Sequence, residues 1–241
     1  MATTARPVVL VLPARDEELS VGDVVGRAPA GVHGHPVVCI VVDDGSRDRT
    51  GEKAAGAGAQ VVRQPPRGLG AAVRTGFAAA LELHPVAVAF CDADGEYAPE
   101  ELDRMVAPIL VDDADYVVGS RFAGGIDVMH PHRRIGNRVL TRAVAVLSRR
   151  PVTDGQSGYR ALSPPAVRAA EIIHDYNYAQ VLTLDLVRKG FRYTEVPISY
   201  SFRREGRSFV RLVPYLRNVV PAVWRELRSP AALPHDVVTP V

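Results

Sequence analysis

Cysteine is nearly absent. The chain has two, Cys39 and Cys91, each inside an apolar run, with no CxxC and no Cys/His cluster. That excludes a disulfide scaffold and a cysteine zinc site, and it suits a reducing cytosol with both thiols buried in strands. Long apolar runs are also missing. The first, Val8 to Leu12, meets Pro13, Arg15, Asp16 and Glu17 at once, too soon for a secretory signal. No stretch approaches the roughly 20 apolar residues of a membrane helix. Net charge is only +2, which argues against a chain-wide nucleic-acid surface, so no nucleic acid is expected as a partner. There is no GxxxxGK[ST]. Gly68-Leu69-Gly70 lacks the third glycine of a dinucleotide loop and follows Pro65-Pro66-Arg67 rather than a first strand. Lysine is confined to Lys53 and Lys189, without the late lysine that a phospho-receiver domain needs.

What is present is an ordinary globular composition in 241 residues, 47% hydrophobic and 23% charged. That is enough for one α/β domain with a sizeable core. Twenty glycines and nineteen prolines point to many loops rather than a helical bundle. Short Val/Ile runs alternate with helical patterns, which predicts a mostly parallel central sheet flanked by helices. Strands are expected at Val8–Leu12, Val37–Val42, Gln60–Arg63, Val86–Cys91, Tyr116–Gly119 and Arg192–Tyr200, the last near an edge because it contains Pro197. Helices are expected at Glu17–Ala28, Asp48–Gly58, Leu69–Leu83, Pro99–Leu110, Ile135–Ser148, Val181–Lys189 and Arg207–Arg228. No linker divides the chain. Residues 1–228 read as one domain and 229–241, with its prolines, as a loose tail.

The chemistry concentrates where strands end. The run Val86 to Cys91 is followed by Asp92-Ala93-Asp94-Gly95-Glu96. Asp92 and Asp94, one residue apart, leave the strand end on one side and can approach one hard cation together. Val41-Val42 is followed by Asp43-Asp44-Gly45-Ser46, and the first strand by Pro13-Ala14-Arg15-Asp16-Glu17. Carboxyl ends of strands are where open α/β sheets bind ligands. One acidic strand end is ordinary and serves as a turn or a helix cap. Three along one sheet edge make a site.

Seven segments then occur in order: PARDE, VDDGSRDRT, RGLGAAVRTGF, DADGEYAPEEL, VVGSRF, DGQSGYRAL and EVPISYSFRREGRS. Together they resemble family 2 glycosyltransferases of the dolichol- or polyprenyl-phosphate mannose/glucose synthase type, over about residues 8 to 210. The resemblance implies a GT-A fold, a nucleotide-sugar donor (GDP- or UDP-sugar), a divalent cation (Mg²⁺ or Mn²⁺) and inversion at the anomeric carbon. It implies that Asp92, Asp94 and Glu96 hold the metal. Pro13, Glu17, Asp44, Asp92, Ala93, Asp94, Arg121 and Arg203 would surround the donor. Asp154, Gln156, Ser157 and Arg160 would line the acceptor side. Asp94, Asp154, Arg121 and Arg203 would be catalytic. Apart from the resemblance, Arg133, Arg134 and Arg138, with Arg142 one turn further, form a basic cluster that suits a dianionic acceptor phosphate, or is simply a solvated basic face. Arg15 and Asp16 stand where Tyr and Asn are usual, which leaves the base open, and Phe209 replaces a usual Lys. No QxxRW of processive members occurs.

A lipid monophosphate acceptor, largely dianionic at neutral pH, needs little help from a base, whereas a hydroxyl acceptor needs one. Asp154 is the first candidate for that base, and the alternative is a loop carboxylate paired with Arg160. Residues 201–230 carry seven Arg against two Glu, with apolar residues at helical spacing. Such a basic amphipathic stretch, 207–228, suits an anionic membrane surface, or simply packs its apolar face on the domain. The expected location is cytoplasmic, peripheral on the inner membrane face if that stretch binds lipid. Against the transferase stand a nucleotidyltransferase, which would show a GxGxR loop where Pro13-Ala14-Arg15 stands, and a non-catalytic binding or receiver-like domain.

Overall fold

The computed structural model describes residues 5–126, 141–142, 145–146, 151–172 and 179–201. The elements are β1 (Val8–Ala14), α1 (Val21–Arg27), β2 (Gly31–Val32), β3 (His35–Asp44), α2 (Thr50–Gly56), β4 (Gln60–Gln64), α3 (Leu69–Glu82) and β5 (Ala87–Phe90). A 3₁₀ turn (Pro99–Glu101) then leads into α4 (Leu102–Leu110), β6 (Tyr116–Ile126), β7 (Arg160–Leu162), α5 (Pro164–Ala169), α6 (Ala179–Arg188) and β8 (Tyr193–Tyr200). The strands form one mixed sheet in the order β2-β3-β1-β5-β7-β6-β8, with β4 also paired to β3.

The Val/Ile runs are continuous because both faces of the central strands are covered. Every residue of β1 is buried. Val8, Leu10 and Leu12 point to one face, against α1 and α4 through Val21, Val24, Leu102, Met105 and Val106. Val9 and Val11 point to the other, against Ala72, Val73, Phe77 and Ala80 of α3. The small residues of α3 permit close approach: a Cβ on Gly76 would lie 2.2 Å from Val11 Cγ1. β1, β3, β4 and β5 run parallel, as do β6 and β8, which is the parallel core that the alternating pattern predicts.

β7 is one of three elements that the sequence pattern does not show, with β2 and α5. It is three residues long, begins with an arginine, and runs antiparallel between β5 and β6. Its register pairs Arg160 with Phe90 on one side and Val118 on the other. Because it runs against β5, the residues before Arg160 arrive at the same sheet edge from which residues after Phe90 depart.

Some boundaries move. The first helix starts at Val21 rather than Glu17, because 15–20 forms a turn in which Asp16 has φ of 54°. The strand expected to stop at Gly119 continues to Ile126 alongside β8, with an irregularity between Ser120 and Gly125. Pro197 lies opposite Ser120 in β8, the last strand of the order, as expected. Cys91 is buried, but Cys39 is only partly so, contrary to expectation; burial pushes its thiol up to about 11. Of the helix expected at 135–148, the described residues 141–142 and 145–146 are helical. The segment 207–228 and the tail 229–241 lie outside the described residues. No helix among the described residues is long and apolar enough to cross a membrane.

Candidate active site

The loops after β1, β3 and β5 meet at the carboxyl edge of the sheet. The first two are laced together. Glu17 N–H donates to Thr50 Oγ1 at 2.8 Å, Arg47 N–H to Asp16 Oδ1 at 2.8 Å, and Asp16 N–H to Ser46 Oγ at 3.1 Å. Asp48 accepts from the backbone N–H groups of Thr50 and Glu18. Burial pushes its carboxyl up, yet the Thr50 hydroxyl, then these backbone bonds, more than offset that and hold it below the usual range. Asp16 and Asp48 therefore shape the platform.

Pro13 is buried in β1 opposite Val42. Asp44 is also buried, and its carboxylate accepts from Arg67 N–H and Gly68 N–H, each at 2.8 Å, and from Gln64 Nε2 at 2.6 Å. It thereby latches the 65–68 loop over the end of β3. Gly45, at φ of 71°, makes room for that loop, since a Cβ there would lie 2.6 Å from Pro66 Cδ.

The third loop carries the highest density of negative charge. Burial first, then the charges of Asp94, Glu96 and Glu17, push the Asp92 carboxyl up to about 8, with Arg121 acting in the opposite direction. Glu17 from the first strand end thus shares a field with Asp92 from the third. Ala93 between the two aspartates is buried, and Asp94 Oδ1 accepts from Glu96 N–H at 3.1 Å. Among the described residues no three His, Cys, Asp or Glu side chains close on a metal by themselves. All the available donors are carboxylate oxygens, the set that suits Mg²⁺ or Mn²⁺. Mg²⁺ is commonly held by one or two carboxylates together with substrate phosphates rather than in an all-protein cage, so the residues fit a cation that arrives with a diphosphate.

Opposite this loop lies the segment before β7. Asp154 is fully buried, and its partner is Arg121 rather than Arg160. Arg121 Nε donates to Oδ2 at 2.6 Å, Nη2 to Oδ1 at 2.8 Å, and the Arg121 backbone N–H to Oδ2 at 3.1 Å. Burial works against the Arg121 charge, but Tyr97 and Asp154 outweigh it and hold the guanidinium above its ordinary value. Arg160, expected on the acceptor side, has no exposure at all. It donates to Ser157 O at 2.9 Å, Gly155 O at 3.2 Å, Thr183 Oγ1 at 3.1 Å and the Tyr116 hydroxyl. Its work is to hold the 155–157 loop from beneath. Ser157 is likewise buried, while Gln156 is partly exposed.

Several residues of the site carry no signal of their own in the sequence. Tyr97, buried, accepts from Gly158 N–H at 2.7 Å. The Tyr200 hydroxyl donates to Glu96 Oε2 at 2.7 Å, and the Arg121 guanidinium lies over the Tyr200 ring, 5.1 Å from its centre. Glu195 accepts from Thr153 N–H at 2.9 and 3.1 Å and so fixes the approach to Asp154. Tyr97, Gly158 and Tyr200 lie inside the quoted segments, but only the fold shows what each touches. Arg133, Arg134 and Arg203 lie outside the described residues.

Residues 10–168 match the family described as Glycosyl transferase family 2. The chain belongs to that family. A dolichyl-phosphate hexose transferase of Haloferax volcanii is 32% identical over 213 residues, covering 86% of this chain and 86% of that protein. A polyprenol monophosphomannose synthase of Mycolicibacterium smegmatis is 33% identical over 225 residues, covering 85% and 82%. Among solved structures, glucosyl-3-phosphoglycerate synthase of Mycobacterium tuberculosis, with Mn²⁺, UDP-glucose and phosphoglyceric acid, superposes with a TM-score of 0.72 at 23% identity, covering 93% of this chain and 81% of that one. That likeness shows the fold, which is GT-A as the sequence segments implied. The protein is a hexosyltransferase of family 2, similar to the polyprenyl-phosphate sugar synthases.

Proposed function

We propose that this family 2 transferase is metal-dependent and inverting, and that it moves a hexose from a nucleotide-sugar to a polyprenyl phosphate. The observation that carries the acceptor is the Arg121–Asp154 pair. Asp154 was the first candidate for a general base, but it is fully buried and gripped through both oxygens by Arg121. A carboxylate so held is poorly placed to take a proton from an incoming hydroxyl, whereas a phosphate acceptor is already anionic. The two relatives named for dolichyl and polyprenol phosphates agree with this reading.

In this reading an acceptor phosphate oxygen attacks the anomeric carbon from the face opposite the diphosphate. The carbon–oxygen bond to the diphosphate breaks, and the nucleoside diphosphate leaves with the electron pair. Pro13, Glu17, Asp44 and Ala93 wall the nucleoside side. Asp92 and Asp94, with Glu96 beside them, would hold the cation, which neutralises charge on the leaving diphosphate when bound. Arg121 has N–H groups beyond those given to Asp154 that would meet phosphate charge, with Arg203 in the same role. Gln156 and Ser157 border the acceptor, and Arg133 and Arg134 add positive charge for its phosphate. The basic stretch 207–228 brings the enzyme to the membrane face where such lipids lie, on the cytoplasmic side.

The test is a donor and acceptor panel. GDP-mannose, UDP-glucose, UDP-N-acetylglucosamine and dTDP-sugars are offered with Mn²⁺ or Mg²⁺, against a polyprenyl phosphate and against water-soluble hydroxyl acceptors. The expected product is a lipid-linked sugar of inverted anomeric configuration. Efficient glycosylation of a soluble hydroxyl with the lipid phosphate ignored overturns the acceptor assignment.

A further inference from the structure

Tyr200 links the loop after β5 to Arg121 through two different contacts. It ends β8, is 6% exposed, and stands where the loop after β5 meets Arg121 of β6. Its hydroxyl donates to Glu96 Oε2 at 2.7 Å, while the face of its ring lies under the Arg121 guanidinium, 5.1 Å away. Its backbone is anchored independently. Tyr200 pairs with Ile126 in the sheet and bridges Tyr97, and the next residue, Ser201, donates its N–H to Glu96 O at 3.0 Å and its hydroxyl to Gly95 O at 3.3 Å. Tyr97 packs edge-on against the ring at 5.6 Å, so the ring has little room to turn.

Glu96 is a long side chain among like charges, which by repulsion alone would swing toward solvent. The phenol O–H opposes that motion, and the ring holds the cation that grips Asp154. We propose that Tyr200 is a positioning residue: it fixes the separation between Glu96 in the loop after β5 and the Arg121–Asp154 pair, so that the carboxylates on the cation side and the arginine that meets phosphate are set by one rigid side chain. The inference rests on the function proposed above for its two ends. It does not require that Tyr200 touch either substrate.

Two variants separate the two contacts. Tyr200→Phe removes the bond to Glu96 and keeps the ring; Tyr200→Leu removes both. The probe is UDP or GDP, whichever the wild type binds more tightly, titrated calorimetrically with Mn²⁺ and no acceptor. Tyr200→Phe is expected to raise Kd about tenfold, the size expected for one hydrogen bond to a charged group, with kcat at saturating donor within about twofold and acceptor KM unchanged. Tyr200→Leu should lose at least about a further tenfold in kcat, because Arg121 then has no ring beneath it. A lowered denaturation midpoint with wild-type Kd and KM in either variant, or equal losses in donor and acceptor KM in Tyr200→Phe, would make Tyr200 merely structural and overturn the proposal. If the wild type binds neither nucleotide, the function proposed above fails on its own account. The bond is then judged by a ligand-free urea double-mutant cycle of Tyr200→Phe with Glu96→Gln: non-additive effects sustain it, and additive effects overturn it.

Discussion

Gly158 and Asp92, 66 positions apart in the chain, lie so close that a Cβ built on Gly158 would sit 2.9 Å from Asp92 Oδ2. The same hypothetical atom would be 3.1 Å from the Tyr97 ring, whose hydroxyl the Gly158 N–H already holds. The segment before β7 therefore forms a wall for the carboxylate, and only a glycine leaves the carboxylate where it is. Gly158→Ala is expected to lower kcat/KM at least about tenfold, on the order of 1.4 kcal/mol in transition-state stabilisation, and to raise the Mn²⁺ concentration needed for half activity. Unchanged metal activation in this variant would show that Asp92 has room to move.

Asp92→Asn and Asp94→Asn should each abolish sugar transfer and leave the circular dichroism spectrum unchanged, since both side chains sit beyond the end of β5 rather than in the core. Removing the cation from the wild type with EDTA should have the same effect and be reversed by Mn²⁺ or Mg²⁺. Full activity of both variants in EDTA sinks the metal assignment.

The Arg121–Asp154 pair is nearly inaccessible, with side-chain exposures of 7% and 0%. Breaking such a pair leaves one buried charge uncompensated and costs about 3–5 kcal/mol, whereas replacing both partners by apolar residues costs far less. Arg121→Met is thus expected to destabilise the protein in urea more than the double variant Arg121→Met, Asp154→Leu, and both should be inactive. Equal stabilities would mean that water reaches the pair.

Asp115 ties the start of β6 to the start of β8, accepting from Arg192 Nε at 2.9 Å and from its backbone N–H at 3.0 Å. Burial pushes its carboxyl up, but the Arg192 bonds outweigh that and hold it below the ordinary range. A depressed carboxyl stabilises the fold above its unfolded pKa of about 3.9, and that stabilisation is lost as pH falls toward the folded value. Thermal scans from pH 6 down to pH 3 should show the wild-type midpoint falling more steeply than that of Asp115→Asn below about pH 4. Parallel curves would remove Asp115 from the acid limb.

The full chain should bind anionic vesicles at low salt, release them as salt rises, and lose binding when residues 208–241 are deleted. A full-length protein that ignores such vesicles, and glycosylates a soluble acceptor well, refutes the membrane reading.

The parallel strands were legible because burial on both faces writes itself as unbroken Val/Ile, and the acidic strand ends followed from where those runs stop. β7 was not legible: three residues led by a charged Arg160 have no period to detect, and its place is dictated by partners on either side. The partner of Asp154 was misjudged for a related reason. Arg160 is nearer in sequence, but its side chain turns into the core toward Tyr116 and Thr183, while Arg121 arrives from a neighbouring strand. Tyr200 and Gly158 act through contacts between distant segments, which a pattern of residues along one chain does not contain.

The reversed direction of β7 has a consequence for how such an enzyme can change its preferences. On the function proposed above, the donor loops grow from parallel strands, but the wall facing the acceptor would be delivered by the chain leading into a strand that enters the sheet the other way. Lengthening or reshaping residues 151–157 would remodel the acceptor's approach while β1, β3 and β5 stay in register. The limit on that freedom is the last step before the strand. Gly158 and Arg160 must be kept, since one admits the carboxylate and the other bolts the loop to the core. Libraries varied on the far side of that boundary are the ones in which new acceptors should be sought.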